Sequence, residues 1–255
     1  MLRKVVLFIA AVVFVLTGSD VQAQKRKPFN LPKYDQAQYH FGFTLGINTM
    51  NFTVKPASDI HYRVFTTEQT PDLNVDSSML LAVNSRPTFG FNVGIVGDMR
   101  LGRYLNVRFV PALTFGERYL NYSILGYREE EKTIIDIDKN ISSVFVDFPV
   151  LFKYKSKRLN NMRAYLIGGA QYTVDLAANS KKDDDQNQEV VKLLKSDVYG
   201  ILGVGFDFYN AWFKFGVELK MKFGVFDMID REGTIYTDGI DRLTSKVLQV
   251  DFTFE

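Results

Sequence analysis

Large apolar residues occupy every second position in many segments of this 255-residue chain. In the stretch FKFGVELKMKF, from Phe213 to Phe223, phenylalanine, valine, leucine and methionine fill the odd positions, and lysine, glutamate and glycine fill the even ones. Such alternation predicts a β-strand with one apolar and one polar face. The apolar face of such a strand can point into the core of a soluble sheet or outward into lipid.

The same alternation predicts eight strands along the chain. Their length, about nine to eleven residues, is what a tilted strand needs to cross a bilayer. The apolar and polar faces are clearly separated in all of them except the fourth. The predicted strands are residues 39–48, 89–101, 105–115, 144–154, 163–176, 197–208, 213–226 and 246–254.

The connections between these strands alternate strictly between short and long. Short turns lie around Gly102, at 156–161 and at 209–211, and the other four connections are long, polar and charged. Transmembrane barrels have short periplasmic turns and longer outer loops. The fold class predicted is all-β: an eight-stranded antiparallel transmembrane barrel of the outer membrane, with short periplasmic turns, long extracellular loops and both termini periplasmic. The long connections are residues 54–87, 120–143, 178–196 and 227–246.

Aromatic residues cluster near both ends of the predicted strands, as expected for the two interfaces of a barrel in lipid. Aromatic residues also cap strands in soluble sheets, so this observation supports the barrel only together with the loop pattern. One predicted girdle comprises Tyr39, Tyr104, Tyr154, Tyr209, Trp212 and Phe254, and the other Phe52, Phe89, Tyr119, Tyr122, Tyr172 and Phe226.

The first residues have the pattern of a secretory signal peptide. Arg3 and Lys4 precede an apolar run, and small residues follow it, ending at Ala23. The run is short for a membrane span, so we expect residues 1–23 to be removed between Ala23 and Gln24, with an uncleaved anchor as the alternative. We then expect residues 24–38 to form a solvated periplasmic segment and residues 39–255 the barrel. Because the chain has no cysteine, disulfides are excluded.

The polar faces of the strands predict the contents of the barrel lumen. Cations and anions on these faces nearly balance, and the interior of an eight-stranded barrel is just wide enough for side chains. We therefore predict a charged plug rather than a pore, with a conducting path as the alternative. The predicted network contains Arg100, Arg108, Lys153, Arg163, Lys214, Lys220, Lys222, Asp147, Asp207, Glu218 and Asp251, with Arg118, Asp98, Asp175 and Asp197 on the same faces.

Candidate chemistry is sparse. The net charge of +2 comes from mixed charges and gives no basis for nucleic-acid binding. His40 and His61 are the only imidazoles, and the neighbours Ser58 and Asp59 follow no catalytic motif. The acidic run at 181–189 lacks the ordered ligand spacing of a calcium loop. We predict no catalytic residue, no metal site and no cofactor.

Several stretches resemble a known family. HFGFTLGIN (His40–Asn48) and MRLGRYLNVRFVPALTFGERYL (Met99–Leu120), together with the more generic DFPVLFKYK, resemble the PorT family of Bacteroidota outer-membrane barrels. The resemblance implies a non-enzymatic component of type IX secretion, which exports proteins with a C-terminal sorting domain and in some relatives supports gliding motility. The implied partners are the outer-membrane bilayer and other type IX secretion proteins. Barrels commonly finish on an aromatic residue, whereas here Glu255 follows Phe254.

Two other functions fit the sequence pattern. One is a structural or adhesive outer-membrane barrel unrelated to secretion. The other is a soluble exported barrel of the lipocalin kind, which would turn its apolar faces inward around a lipophilic ligand. The sequence does not indicate an oligomeric state.

Overall fold

A computed structural model describes residues 29–70, 73–129, 131–177, 193–231 and 233–255. Eleven strands form one sheet, and every pairing in it is antiparallel. The strands are β1 (Tyr39–Pro56), β2 (Val64–Thr66), β3 (Ser77–Arg86), β4 (Thr88–Arg100), β5 (Leu105–Phe109), β6 (Ala112–Arg128), β7 (Glu131–Lys155), β8 (Met162–Asp175), β9 (Ser196–Tyr209), β10 (Lys214–Gly224) and β11 (Ile240–Phe254).

Eight crossings close this sheet into a barrel. β1 pairs with β4 on one side and with β11 on the other, which completes the ring. β5 and β6 together make one crossing, because both pair with β4 and β7 and only Val110 and Pro111 separate them. Pro111 has no N–H to donate to a neighbouring strand, which explains the break. The predicted eight-stranded antiparallel barrel is confirmed.

The apolar faces of the ring point outward. Leu219 of β10 lies between Val204 and Val250 on the neighbouring strands and is 47% exposed. The adjacent Lys220 and Lys222 point inward, and each is 5% exposed. An exposed apolar band around a charged interior is the arrangement of a barrel in lipid and the reverse of a soluble ligand barrel.

Two of the predicted long loops contain ordered strands. β6 and β7 continue past the barrel as a hairpin that pairs from Leu120–Lys139 to Arg128–Glu131, and β3 and then β2 extend this sheet. The long connections predicted at 54–87 and 120–143 therefore contain strands that extend beyond the barrel. We call this extension, with the segments packed beneath it, the cap.

Polarity reverses along β6 where the strand leaves the barrel. Its buried side chains in the barrel are the polar Thr114 and Arg118, and those that follow are Leu120, Tyr122 and Ile124. Its outward side chains are Leu113 and Phe115 in the barrel, and beyond them polar residues such as Glu117, Asn121 and Ser123 also occur. The cap therefore has an apolar core in place of a charged lumen. This core contains Phe52, Ile60, Phe65, Leu73, Val75, Leu80, Val83, Leu120, Tyr122, Ile124, Ile141, Ile229, Ile235, Tyr236, Ile240 and Leu243.

The reversal also corrects one of the predicted aromatic girdles. Phe52 and Tyr122 are buried in the cap core instead of facing lipid, whereas Phe89 and Phe226 are exposed. One short helix, α1 (Ile235–Asp238), contributes to the cap core. No helix within the described ranges is long and apolar enough to span a membrane. The predicted signal peptide and its cleavage site lie outside the described residues.

Candidate functional site

The lumen is organised around the guanidinium group of Arg108, which is completely buried. Its Nε lies 3.1 Å from Oδ2 of Asp98, and its Nη2 lies 2.5 Å from Oε1 of Glu255. Nη1 donates to Oε1 of Glu218. Three carboxylates therefore share one cation, and each of them needs further donors to offset its desolvation.

Two lysines supply further donors to two of these carboxylates. Lys214 Nζ lies 2.6 Å from Glu255 Oε2. Lys220 Nζ joins two strands, because it lies 2.9 Å from Glu218 Oε2 and 2.6 Å from Asp251 Oδ2. These contacts extend the Arg108 cluster into a continuous network across β10 and β11. On the other side of the lumen, Lys153 pairs with Asp207 at 2.9 Å.

Tyr165 fills the space between these ion pairs. Its hydroxyl donates to Glu218 Oε1 at 2.8 Å, and Lys153 Nζ lies 3.6 Å from its ring centroid. Gly205 makes room for this ring, since a Cβ at that position would lie 2.5 Å from two ring atoms. The absence of a side chain at Gly205 is therefore a packing requirement of the network.

A second polar layer lies nearer the cap. Asp147 accepts hydrogen bonds from Thr114 at 2.7 Å and from Thr173 at 2.8 Å, and Lys222 Nζ lies 3.5 Å from the same carboxylate. Together these residues connect β6, β7, β8 and β10 across the lumen.

Arg118 forms the boundary between the polar lumen and the apolar cap. It donates to Ser143 at 2.7 Å and to Ser245 at 3.1 Å, and it lies 3.7 Å from Asp175. Its guanidinium carbon also lies 4.5 Å from the centroid of the Phe52 ring. One side chain thus contacts both environments.

The space that remains in the lumen is very small. Cavities of about 20 Å³ and about 10 Å³ lie beside Asp147 and Lys222. Each is about the size needed for one water molecule. The part of the lumen that the structure describes therefore has no room for a lipophilic ligand or a protein substrate.

Residues 29–38, here called the latch, cover the end of the barrel where the short turns lie. Asp35 binds Arg163 through two contacts of 2.8 Å and accepts a hydrogen bond from Tyr209. Tyr34 donates to Glu255 at 3.1 Å. Residues 24–38 were expected to be solvated, but the described part of that segment packs against the barrel because its side chains complete charged and aromatic contacts.

The latch has a perturbed carboxyl group. Burial on its own would raise the pKa of Asp35, but hydrogen bonds from Arg163, the charge of Arg163 and a hydrogen bond from Tyr209 outweigh it. The pKa of Asp35 therefore lies below its ordinary value, and the ionised carboxylate is favoured.

The structure places ten of the eleven network residues named from the sequence in ion pairs. Arg100 is different: it lies at the rim and donates to the backbone oxygens of Gln36 and Gly102. Sequence reasoning missed Glu255, although Asp251, Thr253 and Glu255 continue one alternating face of β11. The pairs are formed by Arg108, Lys153, Arg163, Lys214, Lys220, Lys222, Asp147, Asp207, Glu218 and Asp251.

The two histidines are not assembled into a catalytic group. His40 lies 2.8 Å from the backbone oxygen of Tyr34 and stacks on that ring. His61 is exposed, and the nearby Asp59 binds Arg63 at 2.8 Å. Within the described ranges, no group of three histidine, cysteine, aspartate or glutamate residues is placed to hold a metal ion. The acidic run at 181–189 lies outside those ranges.

The family of the chain agrees with this geometry. A family model described as "Outer membrane protein beta-barrel domain" matches residues 22–230. The chain therefore belongs to this family of outer-membrane barrels, and its exposed apolar band lies in the outer-membrane bilayer. The soluble ligand-binding barrel is excluded. The short turns of such a barrel lie on the periplasmic side, and the cap, at the opposite end, lies on the extracellular side.

Two solved structures are similar to the chain. The outer membrane protein OprG from Pseudomonas aeruginosa shares 13% identity over 86% of this chain and 94% of its own, with a TM-score of 0.39. Ail, the attachment invasion locus protein of Yersinia pestis, in complex with the heparin analogue sucrose octasulfate, shares 10% identity over 86% of this chain and 99% of its own, with a TM-score of 0.35. No curated protein matches the sequence. These similarities are too weak to support a function.

Proposed function

We propose that this protein is a non-enzymatic outer-membrane barrel with a closed lumen that acts through protein partners at its two ends. The observation that supports this proposal most strongly is the filled interior, where Arg108 binds three carboxylates and the cavities near Asp147 reach only about 20 Å³. A barrel filled in this way cannot pass a folded protein, so cargo has to cross the membrane elsewhere.

The specific role that we propose is in type IX secretion, with gliding motility as a further role. This hypothesis rests on the resemblance of His40–Asn48 and Met99–Leu120 to the PorT family. Under it, the latch and periplasmic turns on one side and the cap on the other are the surfaces available to other secretion proteins. We also propose that residues 1–23 are a signal peptide and that residues 24–38 are periplasmic.

The experiment that tests the secretion role is deletion of the gene in its host. A cargo protein with a C-terminal sorting domain would be followed by immunoblotting of periplasmic, surface and medium fractions. We expect the cargo to accumulate in the periplasm with its sorting domain uncleaved, and the wild-type gene to restore export. Normal surface levels of cargo in the deletion strain would contradict the secretion role without affecting the closed-barrel proposal.

The closed lumen has its own test. Purified protein inserted into a planar lipid bilayer should give no discrete conductance steps, because the ion pairs leave no continuous water path. Reproducible single-channel steps from the wild-type chain would contradict this proposal.

A structural or adhesive barrel is the second candidate, and an exposed row of apolar residues on the cap favours it. Val64, Met79, Leu125 and Ile134 lie side by side across four strands on the outward face. Val64 is 56% exposed and Ile134 is 64% exposed. If this row mediates adhesion, a Val64→Asp/Ile134→Asp variant should reduce cell–cell or surface attachment while cargo export stays normal. Unchanged attachment would remove the support that the row gives to this candidate.

A further inference from the structure

Two cations lie on the outward face of β11, immediately beyond the lipid-facing band. The outward side chains of this strand are apolar from Phe252 to Leu248, and they then change to Lys246, Thr244 and Arg242. Both Lys246 and Arg242 are exposed. Since the cap is extracellular, this change marks the outer boundary of the bilayer.

Neither cation has a carboxylate partner in the described part of the chain. Arg242 Nη2 donates at 2.7 Å to the backbone oxygen of Val225, and Lys246 has no polar side-chain contact there. Other cations on the same side of the cap do have partners. Lys55 pairs with Asp241, Arg63 with Asp59, and Arg231 with Asp227. The charges of Lys246 and Arg242 are therefore available to an external anion.

The surroundings of Lys246 combine polar and apolar groups. In the strand register it lies between Asn51 of β1 and Phe223 of β10, and Thr244 lies beside Thr53. Lys246 and Arg242 are four residues apart on one strand, which corresponds to a separation of about 13 Å. A ligand that contacts both of them needs two well-separated anionic groups.

The apolar surface below these cations defines the rest of the ligand. Leu248 and Met221 are paired neighbours in the lipid-facing band and lie directly beneath Lys246. This band is continuous with the two cations, so the ligand that fits has acyl chains below and anionic groups above. A soluble acidic peptide would leave the apolar part of the surface uncovered.

We propose that Lys246 and Arg242 bind the phosphate groups of a phosphorylated glycolipid in the outer leaflet, with its acyl chains lying over Leu248 and Met221. Charge-assisted hydrogen bonds from ammonium and guanidinium groups to phosphate are strong at a partly dehydrated interface. Thr53 and Thr244 supply hydroxyl groups for the sugar between the two phosphates. This inference is independent of the secretion role.

The test uses the full-length protein in detergent and fluorescent lipid A, a disaccharide lipid with two phosphates. We expect a Lys246→Gln/Arg242→Gln variant to bind at least tenfold more weakly than the wild type. A matched control is Lys157→Gln/Arg103→Gln, which removes one lysine and one exposed arginine from the periplasmic end. This control should bind within about twofold of the wild type. Heat-dependent gel mobility of each variant verifies that the barrel is folded.

Two further measurements determine the outcome. Lys246→Arg retains the charge, so it should retain binding even if a neutral variant proves unstable. Millimolar inorganic phosphate should not displace the lipid, because it cannot replace the acyl contacts. Equal binding by the wild type and the double variant would overturn the proposal, as would equal losses in both double variants. Full displacement by inorganic phosphate would show a free-phosphate site instead.

Discussion

At the scale of single residues, the lumen depends on the pairing of buried charges. Arg108 contacts Asp98, Glu218 and Glu255, so its removal leaves three carboxylates in a low-dielectric interior with fewer donors. Removal of one partner from a buried ion pair typically costs about 3–5 kcal/mol. We expect Arg108→Met to lower the free energy of unfolding by at least that amount, measured by urea unfolding in lipid vesicles.

The control for Arg108 is an exposed cation in the turn between β7 and β8. Lys157 has no ion pair within the described residues, so Lys157→Met should change the free energy of unfolding by less than about 0.5 kcal/mol. A double variant Arg108→Met/Glu218→Gln should recover part of the loss, because one uncompensated carboxylate is removed. A loss below about 1 kcal/mol in Arg108→Met would contradict the network.

Most of the lumen residues could be predicted from the sequence because side-chain direction alternates strictly along a strand. The alternation of side-chain direction is enough to place Lys153, Asp207 and Glu218 inside the barrel. It cannot place Asp35, which reaches Arg163 from a segment outside any strand. Alternation also assigns Arg100 to the lumen network, although this residue lies at the rim. The alternation of side chains does not indicate where along a strand the lumen ends.

At the scale of strands, one change of polarity separates the membrane segment from the cap. The sequence pattern identified where the apolar outward face ends, but the residues beyond it were interpreted as loops. The sequence predicts a connection at 120–143 because this segment is polar and charged, although inward positions such as Leu120 and Ile124 are apolar. Ordered strands with the opposite polarity were therefore missed, although the period of two continues through them.

The outward face of β10 can be tested by inserting a charge. Leu219 lies at the centre of the strand, between Val204 and Val250. An arginine on the lipid face at the bilayer midplane costs about 2–4 kcal/mol. We expect Leu219→Arg to reduce the stability of the folded barrel in vesicles by this amount. Thr133→Arg, at an exposed position in the cap hairpin, should leave it unchanged. Similar losses in both variants would contradict the assignment of the lipid face.

The latch should respond to acid. The pKa of Asp35 is lower in the folded state than in the unfolded state. The ion pair of Asp35 with Arg163 therefore stabilises the latch fully above the unfolded pKa of about 3.9, and this stabilisation is lost as the pH falls through the lower folded pKa. The chain has no cysteine, so a spin label at Lys33→Cys can report on the latch alone. We expect an immobile label at neutral pH and a mobile one in strong acid.

Asp35→Asn provides the control for the acid response. This variant cannot form the ion pair with Arg163, so the label should be more mobile than in the wild type at neutral pH and should change little on acidification. A wild-type label that stays immobile well below pH 3 would show that the ion pair with Arg163 does not hold the latch.

At the scale of the whole molecule, two cores of opposite chemistry share one sheet. The barrel is stabilised by lipid contacts outside and ion pairs inside, whereas the cap is stabilised by apolar packing in water. Ile124 is fully buried in the cap core, and Ile134, on the facing strand of the same hairpin, is 64% exposed. These two isoleucines allow the stability of the cap to be tested separately from that of the barrel.

We expect Ile124→Asn to unfold the cap and leave the barrel in the membrane. The substitution removes the apolar contacts of Ile124 and buries an amide group without a hydrogen-bond partner in the apolar core. Such a change typically costs several kcal/mol. Protease added to intact cells should then cleave the β6–β7 hairpin, while the membrane fragments retain heat-dependent mobility. Ile134→Asn should remain resistant, like the wild type. Loss of the whole protein from the outer membrane in Ile124→Asn would instead show that the barrel cannot fold without the cap, and equal protease sensitivity in the two variants would contradict an apolar cap core.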